Sequence, residues 1–480
     1  RLLGADEFQR KVAQDPKNIE AHFQLGLIFS KQGRLPQAEE TLKRVTELSP
    51  DHVGALFDLG LIEARQNKTQ QAIAHFTRVI QLDDRHGQAH YNLGLAYVQQ
   101  GELDLARGEF ARAIRLDPGD AYAHYNQGRV YVRQGNLEMA ISEFQEAIRI
   151  NPHDPYAHNN LGLAYFCLGR VDEAISEYVK AVDFDPNDAQ VRLNLGMAYS
   201  RAGKLVAAAS ELSRGIDLDP GNAQIHDQLG LVYVRLGNLQ GAIEHYKKSL
   251  AKDPSQPPFH LHLGRAYRLS GKPDLAIKEL QKALSLREED SDCHYELGLA
   301  YDDMSGVEQA LREYRRAVEL SPDHGLAHFH LGLGYGRLGH WEDAASSFRQ
   351  AGALTPDQPH LHYQLGMAYG KCGKWDQAVL CHHRALALSG NDDQILFELG
   401  RAYFQLGEMS LAQEALQRAL LIEGRAPDYH LHLGLVFSNP GRRNSPSLRC
   451  KRRWRWERRI RPFSLPSAGP GWIWVDTMRP

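Results

Sequence analysis

Hydrophobic and small residues recur along most of the chain with a period of 34 residues. Glycine occurs at thirteen positions spaced 34 residues apart, from Gly26 to Gly434, without insertion or deletion. Alanine holds a second fixed place from Ala38 to Ala412, and a large side chain such as Phe110 often follows it four residues later. Self-similarity of this length is typical of repeat proteins, in which each unit stacks on its neighbours.

The spacing within one unit predicts two helices. In segment 89–97, residues at i, i+3, i+4 and i+7 form one stripe of an α-helix: His90, Leu93, Gly94 and Tyr97. Ala106 and Phe110 repeat this spacing on a second helix. Gly101 lies between the two, where a tight turn with positive φ favours glycine. Pro118 ends the second helix because proline cannot continue it, so each unit is predicted to be a helical hairpin.

This pattern resembles the tetratricopeptide repeat in its period, glycine, alanine, aromatic and terminal proline positions. The resemblance covers twelve full repeats, residues 19–426. It implies an all-α fold, an α-solenoid in which stacked two-helix hairpins wind into a right-handed superhelix with the first helices on the concave face. We expect residues 1–18 to be the second helix of a truncated preceding repeat and 427–441 the first helix of an interrupted thirteenth.

Histidine replaces the tryptophan that the family usually carries four residues before the glycine. It does so in ten of thirteen units: His22, His90, His124, His158, His226, His260, His294, His328, His362 and His430. Successive first helices lie about 10 Å apart, whereas zinc ligands converge at about 2 Å from one ion. We therefore interpret the column as semi-buried packing residues and predict no metal site and no cofactor. If these imidazoles are buried in the neutral form, stability should fall below about pH 6.

Asparagine stands two residues before the glycine in four consecutive repeats, as Asn92, Asn126, Asn160 and Asn194. An amide offers both a donor and an acceptor, and about 10 Å between repeats corresponds to about three residues of extended chain. These residues are predicted to hold an extended peptide by its backbone. They resemble the asparagine ladder in the repeat region of O-linked N-acetylglucosamine transferases. The alternative is that asparagine is simply common at this solvated position.

Basic residues dominate the place five residues after the glycine. Seven of its twelve occupants are basic: Lys31, Arg65, Arg133, Arg201, Arg235, Arg337 and Lys371. Because the repeat region is acidic overall, a positive strip would favour an acidic or C-terminal-carboxylate segment as its partner. The alternative is a solvated helix end where Lys and Arg complement the helix dipole.

Composition supports a folded repeat array and argues against a disordered, a membrane-spanning or a disulfide-rich protein. The chain has 480 residues, 42% of them hydrophobic, which is ample for a buried core. No stretch approaches the roughly 18 apolar residues of a membrane-spanning helix. Five scattered cysteines do not make a disulfide scaffold; they favour a cytoplasmic location and leave a periplasmic one open. A chain that starts with Arg1 is expected to be a fragment, so a signal peptide can be neither seen nor excluded.

The C-terminal segment differs in composition from the repeats. From residue 437 onward there are eleven Lys or Arg and two acidic residues, whereas the preceding residues contain 45 basic and 57 acidic ones. Residues 442–480 are rich in Trp and Pro, lose the repeat register and are predicted to be disordered. Mixed basic and aromatic residues are typical of binding to nucleic acid or an anionic membrane surface. Loss of register within a hairpin is also what a shifted reading frame would produce.

No catalytic motif occurs in the chain: it has no phosphate-binding loop, no His-Glu-x-x-His and no Gly-x-Ser-x-Gly. The sequence therefore predicts a non-enzymatic scaffold that binds extended segments of partner proteins in its groove. One alternative is the substrate-recruiting arm of a larger enzyme, such as a protein glycosyltransferase. Another is nucleic-acid binding through the basic tail. The sequence leaves the partner and the oligomeric state open.

Overall fold

The computed structural model describes residues 3–438, which form 26 α-helices and, within that range, no β-strand. The chain divides into two compact units, one ending at Glu289 and the other beginning at Asp290. Within each unit, every helix packs mainly against the helices that precede and follow it in sequence. This arrangement confirms the predicted all-α solenoid of stacked two-helix hairpins.

The first unit contains α1 (Leu3–Gln14) and eight hairpins. The first helices of these hairpins are α2 (Ile19–Lys31), α4 (Val53–Arg65), α6 (Gly87–Gln100), α8 (Ala121–Arg133), α10 (Pro155–Cys167), α12 (Ala189–Arg201), α14 (Ala223–Arg235) and α16 (Pro257–Leu269). The second helices are α3 (Leu35–Leu48), α5 (Thr69–Leu82), α7 (Leu103–Leu116), α9 (Leu137–Ile150), α11 (Val171–Phe184), α13 (Leu205–Leu218), α15 (Leu239–Lys252) and α17 (Pro273–Leu286).

The second unit contains four hairpins and one further helix. Its first helices are α18 (Ser291–Asp303), α20 (Gly325–Arg337), α22 (Pro359–Lys371) and α24 (Asp393–Leu406). Its second helices are α19 (Val307–Leu320), α21 (Trp341–Leu354), α23 (Trp375–Ser389) and α25 (Met409–Ile422), and α26 (Pro427–Ser438) follows. The tail predicted for 442–480 lies outside the described residues.

Local signals set where the helices begin and end. The Asp120 carboxylate accepts hydrogen bonds from the backbone N–H groups of the first turn of α8, which would otherwise lack partners. In the preceding hairpin, the second helix α7 stops at Leu116, directly before Asp117 and Pro118. Gly101 adopts a left-handed φ of 87° between α6 and α7, as predicted for a turn that favours glycine.

Close contact between the two helices of a hairpin depends on the periodic glycine. A Cβ atom built on Gly94 would lie 2.8 Å from the ring of Phe110, and one on Gly230 would lie 2.5 Å from the ring of Tyr246. Both rings are almost completely buried. The glycine on the first helix therefore makes room for the large side chain on the second.

Candidate functional site

The four asparagines lie on successive first helices, α6, α8, α10 and α12, at the same place on each. Because every repeat has the same length, the same side of each helix carries them. Asn126 is buried, and the other three are partly buried. Together these residues, Asn92, Asn126, Asn160 and Asn194, form what is called here the asparagine row.

Three members of the asparagine row are hydrogen-bonded to the preceding repeat. The Nδ2 atom of Asn126 lies 3.1 Å from the hydroxyl oxygen of Tyr91. Equivalent contacts join Asn160 Nδ2 to the Tyr125 hydroxyl at 3.1 Å and Asn194 Nδ2 to Asn159 Oδ1 at 2.9 Å. The row thus links one hairpin to the next, which sequence reasoning did not predict.

The amide nitrogens also bond to their own helices. Nδ2 donates to the backbone carbonyl four residues earlier at 2.8 Å for Asn92, 2.9 Å for Asn126 and 2.9 Å for Asn160. The donor hydrogens of Asn126 and Asn160 are therefore used within the protein. The Oδ1 atom of Asn126 accepts from Arg129. Within residues 3–438, the Oδ1 atoms of Asn92 and Asn160 have no hydrogen-bond partner, so they remain available as acceptors.

Two exposed tyrosines stand beside the asparagine row. Tyr122 is 65% exposed and Tyr156 is 59% exposed, and each lies one helical turn before an asparagine of the row. Of the aromatic side chains on the first helices α2 to α24, only these two are mostly exposed. The guanidinium of Arg129, also exposed, sits 5.7 Å from the ring centroid of Tyr125. This part of the surface combines aromatic rings, hydroxyls and a cation.

Burial perturbs the titratable groups that flank the row. It raises the pKa of the Tyr91 and Tyr125 hydroxyls above the usual value, so both stay protonated and can donate. Asp58 occupies the row's place on α4. Burial raises the pKa of its carboxyl, although the positive charges of Arg65, His52 and Lys31 act in the opposite direction.

Three arginines of the predicted basic strip contact the preceding first helix. Their Nη1 atoms donate to backbone carbonyls in its last turn: Arg133 to Val98 at 3.1 Å, Arg201 to Phe166 at 3.4 Å and Arg235 to Ser200 at 2.6 Å. The last carbonyls of a helix have no partner within it and carry its negative dipole end. These contacts agree with the helix-end alternative for the three residues.

The other basic positions differ among themselves. Arg337 forms a salt bridge with Asp302, with Nη1 and Oδ1 2.8 Å apart, so its charge is neutralised locally. The Lys371 ammonium lies 5.8 Å from the ring centroid of Trp341. Lys31 and Arg65 are exposed. The seven residues therefore do not present a uniform row of unpaired cations.

In five repeats, the histidine column joins the two helices of the hairpin through a glutamate. His158 is buried on α10, and its Nδ1 lies 2.6 Å from Glu177 on α11, while its Nε2 lies 3.1 Å from the Pro152 carbonyl oxygen. The same pairing with a glutamate 19 residues later occurs for His90, His124, His260 and His294. To make both of its contacts, His158 must carry a hydrogen on each ring nitrogen, or the Glu177 carboxyl must carry one and donate it to Nδ1. A neutral imidazole beside an ionised carboxylate cannot make both contacts.

Replacement of the histidine in one repeat keeps the pairing with glutamate. Arg192 takes the histidine's place in one repeat and binds Glu211, with Nη1 and Oε2 2.7 Å apart. In the pairs that keep glutamate, burial alone would raise the pKa of the Glu177 carboxyl, but hydrogen bonds from His158 and Lys180 outweigh it and hold that pKa below its usual value. The column therefore acts as a set of polar clamps between the two helices.

Within residues 3–438, no three His, Cys, Asp or Glu side chains are grouped so that they could hold a metal ion. In the same range, no helix combines the length and the apolar character that crossing a bilayer requires.

Family models match nearly all of the repeat region. Tetratricopeptide repeat models match residues 19–52, 233–298, 295–359 and 363–430, and a model of the Cilia and flagella-associated protein 70 C-terminal domain matches residues 49–257. The chain belongs to the tetratricopeptide repeat family. This fold is a protein-interaction scaffold, in agreement with the predicted class of function. The narrower resemblance to O-linked N-acetylglucosamine transferases stays a prediction.

The solved structures similar to this tetratricopeptide repeat protein include three that cover different shares of the chain. MamA is 30% identical, with 34% of this chain and 95% of that chain covered and a TM-score of 0.32. A chain of the APC/C hetero-tetramer Cut9-Hcn1 is 16% identical, with 90% and 92% covered and a TM-score of 0.41. A tetratricopeptide repeat protein from Parabacteroides merdae is 20% identical, with 51% and 97% covered and a TM-score of 0.41. Among curated proteins, none matches the chain.

Sequence reasoning missed several residues of this surface. Tyr122 and Tyr156 stand at one place in consecutive repeats, a signal that the sequence contains. The recurring histidine-to-glutamate interval of 19 residues was likewise readable. The contacts of Tyr91 and Tyr125 with the asparagine row had no such signal, because they span 35 residues between repeats.

Proposed function

We propose that this tetratricopeptide repeat protein binds extended segments of partner proteins on the side of α6, α8, α10 and α12 that carries the asparagine row. The observation that carries the proposal is the row itself: amides repeated at one interval, three of them hydrogen-bonded to the preceding repeat. A side chain that is already oriented loses little entropy when a ligand binds. A periodic surface suits a ligand that is itself periodic, namely an extended backbone.

The hydrogen bonds of the row change how it would act on a peptide. Because the Nδ2 atoms of Asn126 and Asn160 are used internally, a peptide gains mainly from the acceptor Oδ1 atoms of Asn92 and Asn160. Those oxygens would accept backbone N–H groups of the ligand. Donors for the ligand's carbonyls come from the neighbouring Tyr122 and Tyr156 hydroxyls.

Screening of the full chain against an array of unstructured peptides tests the proposal. We expect the N92A/N160A variant to bind peptides about tenfold more weakly than the wild type, because two hydrogen bonds are lost. Most of the peptides that the wild type binds should then no longer be detected. The matched control is the N136A/N238A variant, which also removes two asparagines. These two cap the second helices α9 and α15 and are not part of the asparagine row. The control should retain the wild-type set, with thermal unfolding monitored for all variants. If N92A/N160A binds the same peptides with unchanged affinity, the row does not bind partners.

The same array tests the predicted preference for acidic segments. If the basic residues attract acidic ligands, the bound peptides should be enriched in Asp and Glu. The K31A/R65A variant should then bind those peptides more weakly than the wild type. Lys31 and Arg65 are the appropriate positions because both side chains are exposed. If the bound peptides are not enriched in Asp and Glu, the preference for acidic segments is wrong. The helix-end contacts described for Arg133, Arg201 and Arg235 then account for the basic residues.

A further inference from the structure

Tyr122 and Tyr156 lack a structural explanation. Tyr122 is 65% exposed and Tyr156 is 59% exposed, so neither contributes much to the core. Each occupies the first turn of its helix, α8 or α10, where Asp120 or Asp154 caps the backbone through its own carboxylate. Large rings exposed on adjacent helices beside preorganised polar groups are typical of a binding surface.

The interval between the two rings is informative about the ligand. Adjacent first helices lie about 10 Å apart. A β-strand turns alternate side chains to opposite faces, so residues i and i+3, about 10 Å apart, point away from each other. A polyproline II helix has three residues per turn and a rise of about 3.1 Å, so residues i and i+3 lie on one face about 9.3 Å apart. Of the two conformations, the polyproline II helix is the one that repeats on one face at an interval close to this helix spacing.

The chemistry of the surface fits the same ligand. Proline rings pack well on aromatic faces, and aromatic-lined grooves bind proline-rich segments. A polyproline II chain has no internal hydrogen bonds, so its carbonyls need donors. Donors here are the two tyrosine hydroxyls and the exposed guanidinium of Arg129. The Oδ1 atoms of Asn92 and Asn160 can accept the N–H groups of the non-proline residues between.

We propose that Tyr122 and Tyr156 bind a proline-rich segment in the polyproline II conformation, with prolines three residues apart on successive rings. This inference rests on the proposed function, since it assigns a ligand class to the same face. It makes the tyrosines the residues that select the ligand, while the Oδ1 atoms of Asn92 and Asn160 accept only from ligand residues other than proline.

Titration of the full chain with fluorescent peptides of about 12 residues, or four turns, tests the inference. The probes are an oligoproline, a Gly/Ser peptide of equal length, and two peptides with proline at every third or every second position. We expect the oligoproline to bind at least about tenfold more tightly than the Gly/Ser peptide, and the every-third peptide to bind more tightly than the every-second one. Equal binding of the oligoproline and Gly/Ser probes would overturn the inference.

Three variants locate the site. Y122A/Y156A should weaken oligoproline binding by clearly more than about tenfold, whereas Y122F/Y156F, which keeps both rings and loses only the two hydroxyl donors, should weaken it by about tenfold. The matched control is F184A, which removes another exposed aromatic ring, on the second helix α11; it should bind like the wild type. Because Tyr122 and Tyr156 are mostly exposed, the two tyrosine variants should unfold at the wild-type temperature. The Phe184 ring is 40% exposed and packs on His153 and His158, so F184A should unfold at a lower temperature, and its binding is measured well below that transition. Oligoproline binding by Y122A/Y156A at wild-type strength would sink the proposal.

The outcome also separates this inference from the proposed function. If the oligoproline fails while other array peptides still bind in a manner that depends on Asn92 and Asn160, the polyproline inference is wrong and the peptide-binding face stands. If no peptide binds, the proposed function is wrong as well.

Discussion

A missing side chain decides how closely the two helices of each hairpin pack. Gly94 faces the buried ring of Phe110, and the equivalent glycine in other repeats faces an equivalent large residue. The 34-residue period therefore repeats one steric fit: a glycine without a Cβ on the first helix faces a large side chain on the second. Not every glycine is under this constraint: Gly108 of α7 has open space around it.

Alanine substitutions at these two glycines should have opposite effects. G94A places a Cβ against the Phe110 ring, and overpacking of this kind costs about 1–3 kcal/mol. G108A should stabilise α7 by up to about 1 kcal/mol, because alanine is the better helix former at an exposed interior position. Native-state hydrogen exchange of the α6 and α7 amides measures both changes. Shifts of the same sign in the two variants would contradict this account.

At the scale of the element, one hairpin departs from the common core. The large residue that faces the periodic glycine is Phe, Tyr or Leu in the other hairpins, but in α22 and α23 it is His382 facing Gly366. His382 is 2% exposed, and within the described residues its Nδ1 atom has no hydrogen-bond partner. Burial, together with the nearby charges of His383 and Arg401, lowers the pKa of His382 to about 4.

The α22–α23 hairpin should consequently weaken in acid. An unfolded histidine takes up a proton near pH 6.5, whereas folded His382 does so only near pH 4. Stability is therefore lost as pH falls between these values, by about 2 kcal/mol between pH 7 and pH 5. H382F should remove this dependence, because the same slot accepts Phe348 in the preceding hairpin.

Hydrogen exchange of the α22 and α23 amides at the two pH values provides the measurement, after correction for intrinsic exchange rates. A wild type and an H382F variant that lose protection in parallel would show that His382 is not the group responsible.

At the scale of the molecule, contacts run between sequence neighbours. Within the unit that ends at Glu289, each helix packs mainly on the helices before and after it. Stability in such an array is close to a sum over repeats and their interfaces. A defect in one hairpin is then expected to open that hairpin and its neighbours while distant ones keep their structure.

Removal of one core ring tests this locality. F110A empties a fully buried site and should cost about 3–5 kcal/mol. Hydrogen-exchange protection should fall in α6, α7 and α8 and remain unchanged in α13, α14 and α15. L105A in the same helix, at a position 50% exposed, is the matched control and should leave all six helices protected. A uniform loss across α1 to α17 would mean that the unit unfolds as one.

The sequence by itself determined the helices, their ends and their pairing into hairpins. These features depend on short-range causes: stripe spacing, glycine turns, carboxylate caps and a proline such as Pro118 directly after a helix. Even the histidine–glutamate pairs recur at an interval that the sequence displays. Such contacts form inside one hairpin, where chain geometry leaves little choice.

Only the tertiary structure decided which polar groups remain available to a partner. Asn126 and Asn160 donate to Tyr91 and Tyr125 across 35 residues, and Arg235 donates to Ser200 across the same interval. Those contacts depend on how one hairpin stacks on the next, to within the few tenths of an ångström that separate a hydrogen bond from none. Residue type and spacing do not contain that distance, because it is set by side-chain packing between repeats.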